Sequence, residues 1–297
     1  MKTRLLILGL CCILAAISCT SIDDSASAPK PVTITLSKDD ISTKTTLTEK
    51  TEGGLSRVWA EGDAVSVIYI KDYDVPGGGI NDKFVLTSGA GTTTGTFTCA
   101  SSSIPMTGEV YVRIVYPYAE TNELFDRCDY SLANQSAGKL SDLGKYDLIM
   151  GRGKFTDGVF SITENLSNLV LFFRIPAGTK LFNTTETVSI KTLTLSAAED
   201  NFIKNSISVF TNNNQNSTDK GSISLQSITG LTNGTLPSDV FIALATDSKS
   251  SFKFKLSIIT SAPIADKEYT FLFERNDYLS SGKVYTLKQS LFTPQDI

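Results

Sequence analysis

Histidine is the side chain that most often moves protons in enzymes, and this sequence has none among its 297 residues. That removes Ser-His-Asp and Cys-His nucleophile systems and every histidine-containing metal site. Lysine-based or paired-carboxylate chemistry is left. Glu61 with Asp63 and Glu199 with Asp200 are the candidate acid pairs, but neighbouring acids in a β protein are ordinarily solvated turn charges, and nothing in the sequence marks a shifted pKa. Gly151-Arg152-Gly153-Lys154-Phe155 has the outline of a phosphate loop. Phe155, however, stands where Ser or Thr must bind magnesium, and no helix follows. Gly89-Ala90-Gly91 likewise opens no helix, so both segments read as turns. The expectation is no enzyme activity, no cofactor and no metal.

The remaining reactive residues are five cysteines. Lys2 and Arg4 precede an uncharged apolar run from Leu5 to Ile17, the layout of a secretory signal peptide. The run is shorter than the roughly 17 to 25 residues of a spanning helix. It ends Ala16-Ile17-Ser18-Cys19, which resembles the lipobox of bacterial lipoproteins, where signal peptidase II cuts before the cysteine and its sulfur takes a diacylglycerol. Residues 1–18 are therefore expected to be a signal peptide carrying away Cys11 and Cys12, with Cys19 lipidated. Residues 19–30 are a polar tether. Cys99 and Cys128 remain. A bridge between them would contribute about 3 to 4 kcal/mol in the chain-entropy model; the other reading is two small buried hydrophobes.

These residues must be carried by a scaffold, and its period is two. Val32, Ile34 and Leu36 alternate with Thr33 and Thr35, and Val110, Val112, Ile114 and Tyr116 share one face. Leu169, Leu171, Phe173 and Ile175 follow the same rule, as do Phe252, Phe254, Leu256 and Ile258. Period two places apolar residues on one face of a half-buried strand. Between Val188-Ser189-Ile190 and Leu193-Thr194-Leu195 the alternation slips by one, which predicts a bulge or break near Lys191. Turn-formers recur at Pro76–Gly79, Ser88–Gly91, Asn212–Asn214 and Asn233-Gly234. About a dozen short strands without a long amphipathic helix predict an all-β sandwich fold. Glycine, charge and two asparagines between residues 151 and 168 suggest a domain boundary near residue 163, giving domains of 31–163 and 164–297.

Without residues 1–18 the chain has 279 residues and a formal charge of −6, from 25 basic and 31 acidic side chains. A mild acidic excess spread along the chain provides no basic face for nucleic acid.

Thr43-Lys44-Thr45-Thr46, followed by Val58-Trp59-Ala60-Glu61-Gly62-Asp63-Ala64-Val65-Ser66-Val67, resembles the opening block of the fimbrillin family of anaerobic Gram-negative bacteria. Val115-Tyr116-Pro117-Tyr118, Tyr146-Asp147-Leu148-Ile149-Met150, Leu169 to Ile175 and Ser281-Gly282-Lys283-Val284-Tyr285-Thr286-Leu287 follow in that family's order, across nearly the whole mature chain. One departure is Glu164-Asn165-Leu166-Ser167, where many relatives carry a histidine.

The resemblance implies two transthyretin-like β-sandwich domains in tandem and a pilus subunit, structural or at the tip. Such a subunit is exported as a lipoprotein to the outer membrane, exposed at the cell surface, trimmed at its N-terminus by a trypsin-like protease, and joined to other fimbrial subunits by β-strand exchange in support of adhesion. The basic residue at the cleavage position is Lys44, with Lys50 and Arg57 as alternates, and the strand lost is the one carrying Val32, Ile34 and Leu36. Partners are then other subunits, the outer membrane through the lipid, and a ligand on a host or bacterial surface. At the other end, Lys283 to Phe292 reads as one strand with Tyr285, Leu287 and Leu291 on a shared face, either a mobile donor or a core strand of a subunit that only accepts. The alternative function is a monomeric surface lipoprotein that binds glycans through exposed aromatics, with Tyr73, Tyr118 and Tyr130 in predicted loops.

Overall fold

The structure is a computed structural model. It describes residues 31–37, 48–49, 55–56, 58–70, 79–122, 127–136, 138–210, 216–217, 219–247, 250–261, 263–264 and 267–297. Cys19, Lys44, Lys50, Arg57, Tyr73, the signal segment and the tether lie outside the described residues.

The first half of the chain supplies β1 (Val32–Ser37), the short pair β2 (Thr48–Glu49) and β3 (Leu55–Ser56), β4 (Ala64–Ile70), β5 (Gly79–Ser88) and β6 (Thr94–Cys99). It continues with β7 (Glu109–Tyr116), β8 (Thr121–Asn122), β9 (Arg127–Ser131), β10 (Asn134–Gln135), β11 (Ile149–Thr156) and β12 (Val159–Asn168). The second half begins with β13 (Leu171–Ile175), β14 (Phe182–Asn183), β15 (Thr187–Ala197), β16 (Ile203–Lys204), β17 (Ser206–Phe210) and β18 (Asn216–Ser217). It ends with β19 (Ile223–Thr232), β20 (Val240–Thr246), β21 (Phe252–Thr260), β22 (Glu268–Arg275), β23 (Val284–Thr286) and β24 (Gln295–Asp296). Two 3-10 turns, Leu140–Tyr146 and Gln289–Leu291, are the only helical elements among the described residues. The fold is all-β, as the alternating pattern predicts.

Seven strands form one sheet in the order β1-β6-β5-β4-β7-β11-β12. Its edges, β1 and β12, approach each other without pairing. The sheet therefore curls around a single core of Trp59, Phe84, Phe97, Phe155 and the inward residues of β4 and β7. The second half, joined by β10 of the first, builds a five-stranded sheet, β10-β19-β15-β21-β22, and a four-stranded one, β16-β20-β13-β23, around a larger core that includes Phe173, Phe254, Leu256 and Ile242. Consecutive buried residues in Leu171–Phe173 and Val240–Ala245 show that the four-stranded sheet is covered on both faces.

In β15 the slip read from the sequence is real. Register shifts fall between Val188 and Ile190 against β19, and between Ile190 and Thr192 against β21. Lys191 is left exposed while Ile190 and Leu193 both point inward. The bulge restores the apolar face that a regular strand would have flipped.

Two local readings are corrected. Gly151 to Phe155 is not a turn but lies inside β11, between β7 and β12. Its glycines make room for neighbours: a Cβ on Gly153 would stand 2.4 Å from the Phe160 ring, and one on Gly151 would stand 2.7 Å from Leu166 Cδ2. The turn is instead at Asp157-Gly158, both with positive φ, which closes β11 and β12 into a hairpin. The expected boundary between 163 and 164 falls within β12. Residues 127–131 and 134–135 pair with strands of the second half: β9 with β17, β10 with β19, and the buried Gln135 amide with both backbone groups of Ala243 at 2.6 and 3.0 Å.

The second correction is at the C-terminus. Lys283 to Phe292 is not one strand: β23 stops at Thr286, and residues 289–291 form a 3-10 turn. Leu287 is buried, Tyr285 and Leu291 are half-buried, and the four-residue step from Leu287 to Leu291 is taken by the turn rather than by pleating.

Candidate strand-exchange site

An edge strand is held by one neighbour and presents its other backbone groups for pairing. β1 is such a strand. It is antiparallel to β6 over six register pairs, from Val32 opposite Cys99 to Ser37 opposite Thr94. Alternation sorts its side chains: Ile34 and Leu36 are buried, Val32 is half-buried, and Thr33, Thr35 and Ser37 face solvent. Outside, Thr33 Oγ1 and Thr98 Oγ1 share a hydrogen bond at 3.2 Å, and Ser37 Oγ and Thr94 Oγ1 share another at 3.2 Å. Burial of Ile34 and Leu36 contributes about 3 to 6 kcal/mol. Val32 contributes less than the sequence suggests, because it lies at the open end.

Beneath β1 the chain has prepared an aromatic floor. Trp59, the one tryptophan, is fully buried and meets Phe97 edge-on at 4.7 Å and Tyr116 at 5.6 Å between ring centroids. Gly95 sits opposite Leu36. A Cβ there would stand 2.6 Å from Trp59 Cδ1 and 2.7 Å from Leu86 Cδ1, so glycine is what lets the floor close up under Leu36. The loop before β4 is anchored by Asp63, whose Oδ2 accepts the Ala60 amide at 2.8 Å and whose Oδ1 faces the Tyr116 hydroxyl donor at 3.4 Å. Burial, with the charges of Asp63 and Asp147 behind it, pushes the Tyr116 phenol far above its ordinary value, so the hydroxyl keeps its proton.

Sequence reasoning found Val32, Ile34 and Leu36 but assigned no role to Trp59, Gly95 or Phe97, and read Asp63 as a solvated charge. Asp63 is instead buried at 9% exposure. A solitary tryptophan was the available signal for the floor. The second acid pair behaves as expected: Glu199 and Asp200 are exposed, and Glu199 pairs with Lys253 at 2.9 Å.

Cys99 and Cys128 are both buried and unbridged. They belong to different cores, Cys99 under β1 and Cys128 among the residues of the second half. Burial pushes the Cys99 thiol above its ordinary pKa, with a smaller push from Asp82 against the lowering by the Ser101 backbone.

The C-terminal segment is held differently. β23 is the parallel edge partner of β13 over Phe172–Arg174. Leu287 then donates its amide to Arg174 O at 2.8 Å, Phe292 meets Phe271 at 5.6 Å, and β24 pairs in parallel with β14. The Tyr285 hydroxyl accepts the Ser280 amide at 2.7 Å while Arg275 lies over its ring at 5.0 Å.

No three His, Cys, Asp or Glu side chains gather as a metal site among the described residues, and no helix there is long and apolar enough to cross a membrane.

Neither a family model nor a curated protein matches the chain. Among solved structures it is similar to a candidate cell adhesion protein from Bacteroides ovatus ATCC 8483, with a TM-score of 0.43 and 15% identity over 78% of this chain and 84% of that one. It is also similar to a candidate cell adhesion protein from Bacteroides fragilis NCTC 9343, with a TM-score of 0.40 and 12% identity over 87% of this chain and 89% of that one. A third such protein, from Bacteroides thetaiotaomicron VPI-5482, has a TM-score of 0.33 and 10% identity over 77% of this chain and 79% of that one.

Proposed function

We propose that the chain is a subunit of an adhesive surface fibre, exported as a lipoprotein anchored through Cys19, whose first strand is cut away and replaced by a strand of a neighbouring subunit. The observation that carries this reading is β1: an edge strand that pairs, among the described residues, with β6 only, with two branched side chains seated over a closed aromatic floor. Removing it would bare a row of backbone groups beside an apolar groove, which is the template that β-strand addition requires. The resemblance of the sequence blocks to fimbrillins supports the same reading, and Lys44 is the proposed cut, seven residues beyond the end of β1.

Electron microscopy of expressing cells with immunogold labelling tests it. Labelled fibres on wild-type cells, and their loss when Cys19→Ala blocks lipidation, are the expected results. A diffuse surface label with no fibre would overturn the assignment.

A further inference from the structure

We propose that the cleft between the head of β4, the segment after β7 and the 3-10 turn Leu140–Tyr146 binds a neutral oligosaccharide. Its first hollow has a volume of about 470 Å³ and is lined by Asp63, Lys83, Tyr116, Tyr118, Asp142 and Lys145, among others. A second hollow of about 240 Å³ is lined by Tyr130, Tyr146 and Lys145 with their neighbours. Lys145 belongs to both, so the two hollows adjoin and suit a ligand longer than one ring.

The chemistry of the walls selects the ligand class. A pyranose presents C–H faces that lie on aromatic rings and a rim of hydroxyls that need donors and acceptors. Tyr118 and Tyr130, both half-buried, supply the ring surface; Tyr130 donates to Pro117 O at 3.0 Å, and Tyr146, buried behind them at 8% exposure, donates to Asn134 O at 3.0 Å. Lys83 lies 5.0 Å over the Tyr118 ring and Lys145 lies 4.9 Å over Tyr146. Neither lysine has a carboxylate in ion-pair range among the described residues, whereas Lys154, Lys204, Lys220 and Lys253 all do. Their N–H groups are therefore available to hydroxyls. Two carboxylates and two ammoniums leave the first hollow without net charge, which disfavours an ionic ligand. A peptide strand has no purchase, because β4, β5 and β7 are interior strands with no free edge. The inference does not depend on assembly, since one chain carries the whole cleft.

The test is a glycan array of neutral and anionic oligosaccharides probed with the purified chain, followed by calorimetric titration of a bound neutral tetrasaccharide. Binding of neutral glycans is expected, weakened about tenfold or more by Tyr118→Ala. Lys145→Ala, at an exposed position, is expected to weaken the tetrasaccharide more than the disaccharide at unchanged melting temperature. Binding of no neutral glycan, binding confined to anionic glycans, or neutral-glycan affinity unaltered in Lys145→Ala overturns the proposal.

Discussion

The two ends of the described chain are both edges of sheets, yet they are held in opposite ways. β1 makes one uninterrupted antiparallel ladder with a single neighbour, and its buried side chains enter one groove. The last fourteen residues divide their hold among a three-residue parallel strand, a 3-10 turn and a second short parallel pair, against β13, β22 and β14. A foreign strand can match the first arrangement residue for residue. Nothing of simple extended form can match the second. The C-terminal segment is thus part of the second core, and under the proposed function β1 is the strand that would be exchanged.

The largest effect expected is from removing that second element. Deleting Leu287 to Ile297 strips Leu287, Leu291 and Phe292 from the larger core. That costs about 5 kcal/mol or more, comparable with the whole stability of an ordinary domain at about 5 to 15 kcal/mol. The truncated chain should fail to accumulate. A soluble chain that melts cooperatively but cannot assemble would reverse the comparison and make the C-terminal segment the donor.

A smaller loss is expected at β1. Leu36→Ala or Ile34→Ala should each lower stability by about 2 to 5 kcal/mol by urea unfolding. An added synthetic peptide of sequence Val-Thr-Ile-Thr-Leu-Ser should recover part of that loss if the groove accepts a strand in trans. Equal loss with and without peptide would mean that β1 is covalently part of its core and nothing more. Gly95→Ala attacks the floor and should cost about 1 to 3 kcal/mol, since Trp59 and Leu86 must give way.

The smallest effect concerns a surface charge far from either end. Lys220, at 2.6 Å, draws the Asp247 carboxyl below its ordinary range, with Lys204 at 3.6 Å helping. A depressed folded-state value stabilises above the unfolded carboxylate range, and the contribution is lost as pH falls through the folded value. Because the pair is solvent-exposed, Asp247→Asn should change stability at neutral pH by less than about 0.5 kcal/mol, and the difference should vanish in acid.

Much of this was legible in the sequence. Alternation placed β1, β7, β13 and β21, and the one-residue slip located the bulge at Lys191, because burial on one face fixes parity residue by residue. The glycines of β11 read as a turn because a glycine that makes room for Phe160 is indistinguishable, in sequence, from one that allows a turn. Leu287 and Leu291 share a face only if the period of two continues past Thr286, where the backbone leaves the sheet. The pairing of β9 and β10 with the second half, and the meeting of Tyr118, Lys83 and Lys145 at one cleft, depend on contacts distant in sequence. No local pattern announces them.

Whether β1 is absent from the assembled subunit is read by peptide mass spectrometry of washed, sheared fibres. The expected result is an N-terminus at Thr45, with no peptide covering Val32–Ser37, and a Cys99 thiol that becomes reactive when the trimmed subunit is still free, since β1 no longer covers it. A subunit that begins at lipidated Cys19 and retains Val32–Ser37 within the fibre would contradict it.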